Sequence, residues 1–109
     1  MTEPLTPAVF HILLALSGGE RHGYAIMQEV RDSFPMGPGT LYGTIKRMLA
    51  AGLVVEAGER PDPVLSEERR RYYRITASGK RAAGDEAKRL ESLVRLAKSK
   101  SLLGKESKV

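Results

Sequence analysis

The stretch Pro35-Met36-Gly37-Pro38-Gly39 constrains this chain more than any other. Two prolines and two glycines in five residues make a turn, because proline fixes φ and glycine permits backbone conformations that other residues avoid. On each side of the turn, apolar residues recur near the helical period. Tyr24, Met27, Val30 and Phe34 precede it, while Leu41, Ile45, Met48 and Leu49 follow it. Two short amphipathic helices are predicted, one opened by His22-Gly23 and stopped at Pro35, the other running from the turn to Gly52.

Another helix comes before this pair. Thr6-Pro7 reads as an N-cap with proline at the first helical position, Val9, Phe10, Leu13, Leu14 and Leu16 mark an apolar stripe, and Gly18-Gly19 supply the stop. After the pair, Leu53-Val54-Val55 reads as a short strand and Gly58 to Glu68 as a proline-bearing loop. Arg71 to Thr76 alternates like a second strand. Thr76 can then cap a last helix that reaches about residue 100. Its residues Ala83, Ala87, Leu90, Val94 and Ala97 are spaced 4, 3, 4 and 3, a coiled-coil-like seam widened by Leu93 and Leu96.

The predicted fold class is mainly α with a small β-hairpin. The order helix, helix, turn, helix, strand, basic loop, strand matches a winged helix-turn-helix, in which the third helix enters the DNA major groove and the hairpin touches backbone beside it. Residues 1–76 are expected to form that domain, 77–101 a C-terminal dimerisation helix, and 102–109 a disordered tail. The first three helices fill the core of so small a domain, so the last-helix seam calls for a second copy of the chain, with Ala83, Ala87, Leu90, Leu93, Val94 and Ala97 at the contact.

Composition narrows the function. The chain has 109 residues, the size of one domain, with 41% hydrophobic and 28% charged residues, a balance that supports a folded core. Without cysteine there is no disulfide, thiolate metal site or thiol nucleophile. His11 and His22 have no carboxylate at metal-ligand spacing and read as packed histidines; adjacent Glu67 and Glu68 point to opposite sides of an extended chain and form no acid/base pair. Gly37 to Gly39 lacks the Gly-Lys-Ser/Thr that follows in a nucleotide loop. The expectation is therefore no enzyme, no cofactor and no metal. No apolar run approaches the roughly 20 residues that span a bilayer, and no signal-peptide pattern opens the chain, so a cytoplasmic location away from membranes is expected.

The net charge of +5 suits an anionic partner. It is also concentrated: from Arg69 to Arg81 there are six basic residues (Arg69, Arg70, Arg71, Arg74, Lys80, Arg81) and no acidic one. A solvated face is the plainer explanation of such a run, but its place beside a helix-turn-helix pattern favours binding to double-stranded DNA.

Three segments sharpen this reading: GTLYGTIKRMLAAGL from Gly39 to Leu53, RRYYRIT from Arg70 to Thr76, and HGYAI from His22 to Ile26. Through them the chain closely resembles the PadR family, named for regulators of phenolic acid metabolism, over roughly Leu5 to Ala97. A single helix after the wing is similar to the smaller branch of that family, whose members dimerise through it. The resemblance implies a DNA-binding transcriptional regulator, a repressor that occupies a palindromic promoter site as a homodimer. It also implies that a small hydrophobic or phenolic effector, bound near the dimer interface, could release DNA. Gly43 departs from the family, many of whose members carry proline there.

In this reading Gly39 and Thr40 present helix N–H groups and a hydroxyl to phosphate. Thr44 and Arg47 lie on the side of the third helix opposite its apolar face, with Tyr42 and Lys46 flanking, and these four are expected to reach base edges or flanking backbone. The chain has no asparagine, and its single glutamine, Gln28, lies outside this helix, so bidentate adenine readout is not expected. Arg69 and Arg70 are assigned to phosphates, whereas Arg71 and Arg74 belong to the strand and can face acidic neighbours. Of Tyr72 and Tyr73 one ring is expected in the core, and Tyr73 is taken as the one near DNA. A module of the same fold that meets an acidic protein partner would share these features, apart from base preference.

Overall fold

A computed structural model of the chain describes residues 3–61 and 69–104. The elements follow in the order α1 (Pro7–Ser17), β1 (Arg21–His22), α2 (Gly23–Val30), α3 (Pro38–Ala50), β2 (Val54–Pro61), β3 (Arg69–Ile75) and α4 (Ala77–Ser99). The mainly helical class and the winged arrangement are as the sequence predicts.

Local signals start and stop the helices. The Thr6 side chain accepts from Val9 N–H at 3.3 Å with Pro7 at the first helical position, and Gly19, at φ +135°, turns the chain out of α1. The His22 ring caps α2, its Nδ1 accepting from Ala25 N–H at 3.2 Å. Gly52, at φ +76°, follows the end of α3. Thr76 caps α4 by accepting from Gly79 N–H at 2.9 Å, and its own hydroxyl donates to Gly52 O at 2.7 Å, which ties the start of α4 to the end of α3.

One core joins these elements. Ile12, Leu13 and Leu16 of α1 meet Ile26 and Val30 of α2, Leu41, Ile45 and Met48 of α3, Val54 of β2, and Tyr73 and Ile75 of β3. The sheet is antiparallel in the order β1-β3-β2, with His22 opposite Tyr72 and Val54 opposite Ile75. A bulge interrupts β2 between Glu56 and Glu59, where Gly58 takes φ +96°.

The structure corrects several expectations. Helix α2 ends at Val30 rather than at Phe34, and residues 31–34 form a turn. Strand β1 was not expected, since two residues carry no period of their own. Strand β2 continues through Pro61, so residues 58–61, expected in a loop, are strand; residues 62–68, with Glu67 and Glu68, lie outside the described residues. Ala83, assigned to the dimer contact, belongs to the chain's own core at 9% exposure, because the first turns of α4 pack on the winged domain. In the expected tail, Leu102 and Leu103 are exposed, and residues 105–109 lie outside the described residues.

Candidate nucleic-acid interface

Helix α3 has two distinct faces. Leu41, Thr44, Ile45 and Met48 follow the i, i+3, i+4, i+7 rule and are buried. Gly39, Thr40, Tyr42, Lys46 and Arg47 are exposed on the other side, which brings five of the predicted residues onto one surface. Thr44 does not join them. It is 1% exposed, and its hydroxyl accepts from Arg47 Nη2 at 3.3 Å.

The start of α3 is open to an anion. Gly37 at the N-cap has no side chain to offer, Pro38 has no N–H, and the first helical bond is Leu41 N–H to Gly37 O at 3.0 Å. The N–H groups of Gly39 and Thr40 therefore face solvent at the positive end of the helix dipole, and no acid occupies the first turn. Among the described residues Lys46 has no carboxylate partner, so its charge is available to a ligand.

Tyr42 is 46% exposed and leans onto α2: a Cβ at Gly23 would lie 2.9 Å from its Cε1. Tyr73 is corrected. It is 5% exposed, on the same strand face as buried Ile75, and burial pushes its phenol above the ordinary tyrosine pKa. Tyr72, half-buried, lies on the opposite face. His11 and His22 are packed as expected, His11 stacked on Phe34 at 4.9 Å and His22 edge-on to Tyr72 at 5.3 Å.

The arginines of the hairpin are compensated in space although not in sequence. Arg71 lies 3.8 Å from Glu56 and 3.5 Å from Glu59, and these carboxylates, Glu56 foremost, hold its guanidinium more firmly protonated than usual. Arg74 pairs with Glu20 at 3.4 Å. Arg69 donates to the Glu59 carbonyl at 2.8 Å, and Arg70 lies over the Tyr24 ring at 5.7 Å. Because side chains alternate along a strand, Arg69 and Arg70 point to opposite faces of the hairpin. Composition alone missed Glu20, Tyr24 and Arg60; Arg60 stands directly opposite Arg70 in the strand register.

On α4, Ala87 is exposed, Leu90 and Ala97 are half-buried, and Leu93, Val94 and Leu96 are 48%, 51% and 53% exposed. Among the described residues no group of three His, Asp or Glu side chains could hold a metal, and no helix is long and apolar enough to cross a membrane.

Comparison with known proteins agrees with this architecture. The model of the transcriptional regulator PadR-like family matches residues 12–85. The chain is 37% identical over 86 residues to the transcriptional regulator Rv3488 of Mycobacterium tuberculosis, spanning 78% of this chain and 77% of that protein. A PadR family transcription regulator from Clostridium difficile R20291 is similar in structure with a TM-score of 0.74 and 24% identity, over 86% of this chain and 97% of that one. Bacillus subtilis PadR, solved in complex with operator DNA, is similar with a TM-score of 0.63 and 21% identity, over 76% of this chain and 46% of that one. At these identities the two structures speak for the fold; the family model and the Mycobacterium relative carry the assignment, and the chain belongs to the PadR-like family of transcriptional regulators.

Proposed function

We propose that the chain is a sequence-specific DNA-binding repressor that occupies a palindromic promoter site as a homodimer. The observation that carries this reading is the exposed face of α3, where open N–H groups, Thr40, Tyr42, Lys46 and Arg47 share one surface. Gly39 and Thr40 take a phosphate, Lys46 and Arg47 read guanine edges or the adjoining backbone, and Tyr42 supports them. Arg69 and Arg70 add phosphate contacts from the hairpin, each from its own face.

Residues 77–101 serve as the dimerisation helix in this reading. Leu93 and Val94, with Ala87, Leu90 and Ala97 beside them, offer apolar surface worth about 25 cal/mol per Å² when covered. A symmetric pair would set two α3 helices about 34 Å apart, one turn of DNA. A small hydrophobic or phenolic effector would act by changing that spacing. No catalytic step, cofactor or metal enters this reading, and its place of work is the cytoplasm.

Selection of duplexes from a random library by the purified protein tests it. The expected result is a palindromic consensus bound about a thousandfold more tightly than a scrambled duplex at physiological salt, with affinity falling steeply as salt rises. A library that yields no preferred duplex would favour an acidic protein as the partner of the same surface.

A further inference from the structure

Glu20, immediately before β1, grips both strands of the hairpin. Its Oε1 accepts from Arg60 Nη2 of β2 at 2.8 Å, and its Oε2 accepts from Arg74 Nη1 of β3 at 3.4 Å. The register explains the second contact: His22 faces Tyr72 and Arg21 faces Tyr73, so one step further sets Glu20 across from Arg74.

The contacts continue inward. The Arg60 guanidinium lies 3.7 Å above the Tyr72 ring, Tyr72 meets His22 edge-on at 5.3 Å, and His22 caps α2. Next to His22 stands Gly23, against which Tyr42 of α3 rests. An unbroken line of contacts thus runs from Glu20 through Arg60, Tyr72 and His22 to the helix pair. Arg60 also stands opposite Arg70, a like-charge pair that repels unless a carboxylate intervenes.

We propose that Glu20 is a positioning residue for sequence specificity: it holds the β2–β3 hairpin at one angle to α2 and α3, so that hairpin-phosphate and α3-base contacts are made together. The inference rests on the reading of function above. It predicts a sign that charge alone does not give. A carboxylate beside a DNA-binding surface repels phosphates, so its removal should tighten binding to every duplex. Loss of a positioning residue instead weakens binding to the preferred duplex alone.

The test uses the full chain carrying Glu20→Gln, which keeps the size and loses the charge, and Arg60→Met, which keeps an apolar stem over Tyr72 and loses the ion pair. Each is titrated with the duplex enriched from the random library and with its scrambled counterpart, and backbone amide exchange is followed across β2 and β3. For Glu20→Gln the ratio of the two affinities should fall about tenfold through the enriched duplex, with scrambled binding unchanged or tighter. Amides of the hairpin should exchange about tenfold faster in both variants while those of α1 keep their rates. Equal tightening on both duplexes, or unchanged exchange in the hairpin, overturns the proposal. A wild-type chain that enriches no duplex overturns the functional reading and this one with it, whereas a preserved affinity ratio in Glu20→Gln overturns this one alone.

Discussion

The phenol of Tyr42 rests on the bare α-carbon of Gly23, the first residue of α2, so that an added methyl group would stand 2.9 Å from the ring carbon Cε1. Glycine at that position lets the ring of the third helix lie across the start of the second. The atoms in the way belong to the far end of a side chain, so substitution moves the ring rather than the backbone. Gly23→Ala should cost about 1 kcal/mol or less in stability, yet weaken binding to the preferred duplex about tenfold because Tyr42 leaves its place. Thermal unfolding and a DNA titration of the same preparation separate the two effects.

Gly79 presents the opposite case. A Cβ there would run into the backbone carbonyl of Leu53 and lie 2.9 Å from Ile75 Cγ1, and neither the carbonyl nor the buried isoleucine can swing away. Gly79→Ala should destabilise the fold by roughly 1–3 kcal/mol. For a domain near this size each kcal/mol lowers the melting temperature by about 4–8 °C, which calorimetry resolves.

Glu86 is 5% exposed and joins the N-terminal segment to α4: its carboxylate receives Leu5 N–H at 3.1 Å and the guanidinium of Arg89, one turn along the same helix, whose Nε lies 3.0 Å away. The Arg89 hydrogen bond is the largest cause holding its pKa below the usual carboxylate value. A carboxyl whose pKa is depressed in the folded state contributes stability above its unfolded pKa, about 4.3, and loses it as pH falls through the lower folded value. Wild-type stability should therefore fall with acid from about pH 5 downwards, and Glu86→Gln should flatten that part of the profile. Urea melts between about pH 3 and pH 7 check the difference in slope.

Leu93→Glu should leave the fold intact and give a monomer, since Leu93 is 48% exposed and outside the chain's own core. Ala83→Glu should unfold the protein instead, because Ala83 packs inside that core. Sedimentation together with circular dichroism distinguishes dissociation from unfolding. A dimer still intact in Leu93→Glu would count against the α4 seam.

Lys46→Ala and Arg69→Ala should differ in kind. The first should change which base is preferred under part of the site, at about 1–3 kcal/mol of discrimination. The second should weaken all duplexes alike and reduce the salt dependence by about one counterion. Selections and salt titrations on both variants read the contrast.

Apart from the end of α2, the helices are legible in the sequence because their signals are local: Thr6, Thr76, Pro7 and Gly52 act on the turn they belong to. Strand β1 was not legible, since Arg21 and His22 are extended only through pairing with β3, some fifty positions away. The burial of Thr44 follows from its spacing to Leu41, Ile45 and Met48, but a hydroxyl obscures a core position when residues are sorted by polarity. Tyr73 shares a strand face with Ile75, so anchoring the alternation on that isoleucine picks the buried ring correctly. The pairing of Arg71 and Arg74 with acids was expected in kind, but the acids themselves, Glu56, Glu59 and Glu20, come from other elements and appear only once the chain has folded.

The bond from Thr76 to Gly52, the burial of Ala83 and the bond from Leu5 to Glu86 fix α4 to the winged domain, so that helix and domain form one lever. The helix is unbroken over 23 residues, a length of about 35 Å. If two copies pair through α4 as proposed, a change of about 10° in how the helices cross would displace the far ends by about 6 Å, nearly two base-pair steps along a duplex. In the proposed dimer, small events at the α4 contact would thereby be geared up into a mismatch of stride between protein and DNA.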